Sequence, residues 1–160
     1  VMGGPVQLLF LAALALAGRS RKELLYLASA FIAAATVSAT FVAVESWQPA
    51  PRFVEAAAAL TVTYLAVEIL LLPEARYRWL IAAGMGIFHG FYFGTFLEQS
   101  EMSPLYVLTG VAATEAAVLA ILAWLLGRAT KAATTWRVVR IGAALLGMVG
   151  MAWFVMSVRS

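Results

Sequence analysis

Glu55, Glu68, His89 and Glu115 are ionisable residues set inside stretches of chain that are otherwise almost wholly apolar. His89 is the single histidine, and all eight acidic residues are glutamates. A charge held in hydrocarbon costs roughly 2.5–3.5 kcal/mol on insertion scales, so groups kept there face a protein interior or a polar cavity rather than lipid. One imidazole with carboxylates is suited to a proton relay or to a weakly held divalent cation. It is not suited to a structural zinc site, which usually requires four nitrogen or sulfur ligands.

These groups need elements that bury them, and the composition says what those elements are. The chain has 160 residues, 64% hydrophobic and 12% charged, with a mean hydropathy of +0.93. Soluble domains carry about 25% charged residues, so this surface belongs in a bilayer. Spanning helices need about 20 apolar residues, and six segments approach that length: 1–18, 24–44, 53–72, 79–97, 105–126 and 141–158. They are continuously apolar rather than alternating, which predicts helices over a β-barrel. The expectation is an all-α bundle of six transmembrane helices forming one domain over residues 1–160. The first segment reads as a span rather than a signal peptide, because basic residues follow it and do not precede it. The first residue is Val1 rather than methionine, which leaves a processed product and an incomplete one both open.

Loops one, three and five carry nine cations (Arg19, Arg21, Lys22, Arg76, Arg78, Arg128, Lys131, Arg137 and Arg140), against Arg52 and Arg159 on the other side. By the positive-inside rule the odd loops are cytoplasmic and both termini lie outside. Trp47, Tyr77, Trp79, Tyr106 and Trp136 fall near segment ends, as interfacial aromatic belts do. The cations could also attract anionic lipid or a partner protein, and 128–140 could hold a short interfacial helix.

At about 1.5 Å per residue, His89 and Glu115 each lie about 15 Å into their segments, so adjacent antiparallel helices would bring them to one depth. Glu55 lies near the outer end of the third segment, where an interfacial place competes with a functional one. Glu68 lies in its inner third and could reach toward the cytoplasm. Gly86, Gly90 and Gly94 repeat every four residues, the small-xxx-small pattern of close helix packing. His89 in that stripe could therefore be a hydrogen-bonded packing residue as readily as a proton carrier or metal ligand.

Several function classes drop out. Lys22 and Lys131 lie in loops, so a retinal-type Schiff base has no lysine. Bis-histidine haem has no second histidine, no base stands near a buried serine, and no Walker or Rossmann loop is present. Cysteine is absent, which removes disulfides and thiolate sites without fixing the redox compartment. Neither an enzyme nor a nucleic-acid partner is expected.

In their order along the chain, these motifs resemble the HupE/UreJ family of six- to seven-helix membrane proteins. Its first-helix pattern Gly-x-Asp-His-Leu-Leu-Phe-Leu has its counterpart in Gly4-Pro5-Val6-Gln7-Leu8-Leu9-Phe10-Leu11. Its second-helix Ala-Phe-Thr-x-Ala-His-Ser corresponds to the stretch Ala30 to Thr36. Val54-Glu55, Glu68-Ile69, the run Met85 to Gly90 and Glu115 match the later motifs. Val6, Gln7 and Ala35 stand where the family has Asp, His and His. The resemblance implies nickel or cobalt uptake in a bacterial cytoplasmic membrane, as a secondary permease using Glu55, Glu68, His89 and Glu115, with His89 and Glu115 as metal ligands. The missing imidazoles favour a second reading, a non-transporting structural or accessory subunit of a larger membrane complex or homo-oligomer. A third reading is a proton- or quinone-linked subunit using His89 and Glu115 without metal.

Overall fold

A computed structural model describes residues 3–45, 49–72, 77–98, 103–129 and 135–159; within these, nothing is said of the side chains of residues 3, 4, 96, 98, 129, 135 and 136. They form six helices: α1 Gly3–Ala17, α2 Arg21–Glu45, α3 Pro51–Leu71, α4 Arg78–Glu98, α5 Pro104–Ala129 and α6 Thr135–Arg159. The described residues contain no strand.

Local chemistry sets the helix starts. Pro51 and Pro104 each open a helix, where the missing N–H costs nothing and the fixed φ is already helical. The 19–23 run, expected as a charged loop, instead starts α2. The Glu23 amide donates to Ser20 Oγ at 3.1 Å while the Glu23 carboxylate accepts from the Arg19 amide at 3.0 Å, a capping-box arrangement. α2 therefore begins three residues before the expected 24. The 128–140 stretch is not a separate interfacial helix in its described part, because α5 runs to Ala129 and α6 starts at Thr135. Arg128 lies 4.1 Å over the Trp124 ring, a cation–π contact at the helix end.

Two tight seams organise the bundle. The first joins α4 to α2 along the expected glycine stripe. A Cβ on Gly86 would meet the Phe31 carbonyl, one on Gly90 the Ala35 carbonyl, and one on Gly94 the Val42 side chain. Ser38 Oγ donates across this seam to the Ile87 carbonyl at 2.8 Å. The second seam joins α6 to α3, where Cβ atoms on Gly147 and Gly150 would meet Ala66 and Thr63. Sequence reasoning missed this pair because 147 and 150 are three apart rather than four.

α1 runs through the interior, with Phe10, Leu11, Ala13, Leu14 and Ala17 at most 2% exposed. Among the described residues, four helices, α2, α3, α5 and α6, are long and apolar enough to cross a membrane. The described part of α1 includes a shorter apolar helix, Pro5–Ala17. Outward faces such as those of Val37, Phe41, Ile121, Leu125 and Met148 leave large apolar side chains exposed, which suits contact with lipid. Tyr77, Trp79 and Tyr106 are exposed at helix ends; Trp47 and the Trp136 side chain lie outside the described residues. So do Arg76 and Lys131 of the cation count.

Candidate functional site

The polar interior separates into two clusters at different depths. In the upper one, Gln7 from α1 is the hub. Its Nε2 donates to Glu115 Oε1 on α5, and its Oε1 faces His89 Nδ1 on α4. On the other side of the ring, His89 Nε2 is 3.0 Å from Thr61 Oγ1 on α3. Side chains of four helices are thus linked through Gln7 and His89, and His89 and Glu115 are only 2% and 4% exposed. Phe10 and Phe31 hold the ring in place, with centroids 4.4 and 5.5 Å from that of His89.

The hydrogen-bond directions follow from the donor inventory. With Gln7 Nε2 committed to Glu115, Gln7 Oε1 accepts, so His89 carries its proton on Nδ1. Thr61 is also 2.6 Å from the Ala58 carbonyl. A hydroxyl turned to Ala58 leaves its lone pair for Nε2–H, the doubly protonated ring. A hydroxyl turned to Nε2 gives the neutral ring. The Thr61 rotor can thus accommodate either protonation state of the ring.

Beside the hub is a crevice of about 20 Å³ lined by Gln7, Glu55, Ala58, His89, Tyr92 and Trp153, enough for one water-sized particle. Glu55 is half-buried there. So His89 and Glu115 are each hydrogen-bonded to Gln7, Glu55 shares the crevice with Gln7 and His89, and Glu68 belongs to neither arrangement.

Glu68 belongs to the lower cluster. It is 1% exposed and paired with Arg78 Nε; Arg78 also donates to the Ala17 carbonyl at 2.9 Å and lies 3.5 Å from Glu23 Oε1. The carbonyl at Ala17 is one of those a helix end leaves without an intrahelical partner, so Arg78 ties together the ends of α1 and α3 and the starts of α2 and α4. Glu68 Oε2 has no hydrogen-bond partner among the described residues. Seven residues separate Thr61 from Glu68, which puts the clusters about 10 Å apart.

Gln7, Thr61 and Arg78 were missed in the sequence. Gln7 is the only glutamine inside an apolar segment, a signal that its reading as a lost histidine concealed. Arg78 was counted as a loop cation, yet it is 7% exposed. Among the described residues, no three His, Cys, Asp or Glu side chains are grouped closely enough to hold a metal ion.

A helical bundle with an apolar exterior and a buried acid–base cluster defines an integral membrane protein. The chain belongs to the HupE/UreJ family: the family model described as HupE / UreJ protein matches residues 1–157, essentially its whole length. That is a nickel- and cobalt-related family of membrane transporters and accessory proteins, not a known enzyme family. No curated protein and no solved structure matches it.

Proposed function

We propose that this chain is a six-span permease of a bacterial cytoplasmic membrane, with both termini outside, that passes a small divalent cation such as nickel through the layer around Gln7. The observation that carries this reading is the convergence of Gln7, His89 and Glu115, from three helices, beside a crevice that Glu55 also lines. The cargo would meet carboxylate oxygens, an amide oxygen and one imidazole nitrogen. Oxygen donors favour harder ions and imidazole favours nickel, so this mixed set would hold nickel weakly. Weak holding suits conduction, because an ion must leave as well as enter. Two protein–protein hydrogen bonds would give way to the ion, and Nδ1 of His89 would become a ligand only once its proton had left, for instance by a shift of the ring to the Nε2–H tautomer with Thr61 Oγ1 accepting.

A second reading is supported by the closed state of both clusters. Gln7 is engaged at both ends of its amide by His89 and Glu115, and Arg78 neutralises Glu68. An accessory subunit of a larger membrane complex would keep such bonds as interhelical anchors and never open them.

Uptake of radioactive nickel by proteoliposomes, paired with calorimetry on the purified chain, separates the two. Under the permease reading, nickel or cobalt binds at neutral pH, and His89→Ala and Glu115→Gln each abolish uptake while the protein still assembles. Absence of any heat of nickel or cobalt binding would sink the metal reading. Copurification in a stable complex, with no uptake by the isolated chain, would favour the accessory one.

A further inference from the structure

A long groove of about 790 Å³ runs along the outside of the bundle between α3, α4 and the end of α6. Its walls are apolar, among them Phe53, Leu60, Met85, Phe88 and Phe154, and among the described residues its one charged lining residue is Arg52, at the start of α3. Arg52 is exposed and makes no ion pair with a described carboxylate. From Arg52 to Tyr64, the deepest α3 residue along the groove, is twelve residues or about 18 Å. One leaflet of hydrocarbon is about half of a ~30 Å core, so the groove descends about as far as one lipid.

We infer that this groove is a binding site for a single anionic phospholipid, with its phosphate on Arg52 and an acyl chain along α3, α4 and α6. Arg52 can bond the phosphate oxygens of any phospholipid bidentately, and net charge selects among headgroups, because the ammonium of a zwitterionic lipid offsets the attraction to the guanidinium and an anionic headgroup has no such group. Shape selects the chain, because the groove is deep, apolar and as long as one leaflet. The site has a functional neighbour. Thr61 lines the groove and at the same time lies 3.0 Å from His89 Nε2. An acyl chain in the groove covers Thr61 from the lipid side and keeps water away from the far nitrogen of His89. The inference does not depend on what the central site carries.

The test is native mass spectrometry of the full-length protein released from bilayers of equal parts phosphatidylglycerol and phosphatidylethanolamine. The wild-type protein is expected to retain phosphatidylglycerol several-fold over phosphatidylethanolamine. Arg52→Glu should abolish that preference, Arg52→Lys should keep most of it, and Ala57→Phe, which fills the groove, should lower retention of both lipids. Thermal melting of each variant checks that the bundle is intact. Equal retention of the two lipids by the wild type, or an unchanged preference in Arg52→Glu, would overturn the proposal. So would a dimer whose copies crosslink through Leu60→Cys, since a second chain would then occupy the groove.

Discussion

Arg78 and Glu68 form an ion pair with side chains only 6% and 1% exposed. Ten residues apart on two consecutive helices, they close the end of the bundle where four helix termini meet. Withdrawing both charges from water costs several kcal/mol per ion, which the pair and its neighbouring bonds repay only while they stay together.

Arg78→Ala should therefore destabilise the protein by about 3–5 kcal/mol, the usual loss when one member of a buried pair is left alone. The double substitution Arg78→Met with Glu68→Leu should recover most of that loss, because neither charge remains to be solvated. Thermal melting in detergent measures both. If Arg78→Ala melts like the wild type, the pair is not closed in the membrane.

Gln7→Leu should remove two links at once, leaving His89 Nδ1 and Glu115 without their described partner. Intramembrane hydrogen bonds are worth about 0.6–1.7 kcal/mol each, and an orphaned buried polar group costs about 1–3 kcal/mol. A loss of several kcal/mol is expected, with the double mutants of Gln7 with His89 and of Gln7 with Glu115 both non-additive. Additive melting shifts would mean that the amide does not join them.

The glycines divide by what surrounds them. A Cβ at Gly90 would overlap the Ala35 carbonyl and come within 2.8 Å of Ser38 Cβ, whereas one at Gly110 meets nothing. Gly90→Ala should cost about 1–3 kcal/mol through overpacking, and Gly90→Leu more. Gly110→Ala should be neutral or stabilise by up to about 1 kcal/mol, from helix propensity alone. Equal effects at the two positions would place the α4 stripe against lipid.

Much of this was legible in the sequence. Continuous apolar runs separated by charge or proline marked all six helices, since only helices and closed barrels satisfy the backbone in hydrocarbon and the runs do not alternate as barrel strands do. The glycine period of four showed the face of α4 that meets α2. The cost of burial singled out His89 and Glu115, and their equal depth suggested a shared layer. What the sequence did not show was the partner choice, because depth along a helix says nothing about which way a side chain points. Glu68 and His89 lie close enough in depth to seem one site, yet Glu68 points to Arg78. Gln7 was invisible as a hub because it was compared with the histidine it replaces rather than weighed as a polar group in an apolar helix. The start of α2 was missed because charge outweighed the Ser20–Glu23 capping signal.

The expected orientation rests on the nine cations of the odd-numbered loops against two elsewhere in the sequence, by the positive-inside rule. In the described residues, Arg19, Arg21, Lys22 and Arg78 gather where α1 ends and α2 and α4 begin, and Arg128, Arg137 and Arg140 lie at the end of α5 and the start of α6. Ser20 lies at that end and Ser103 precedes α5 at the other; both are exposed. The chain has no cysteine of its own, so single cysteines report without background. Ser103→Cys should react with a membrane-impermeant maleimide added to intact cells, and Ser20→Cys should react only after the membrane is opened. Arg52 would then lie in the outer leaflet and the Arg78–Glu68 pair at the cytoplasmic end. The opposite labelling pattern would invert the bundle, and labelling of both positions from outside would mean that fewer than six helices cross.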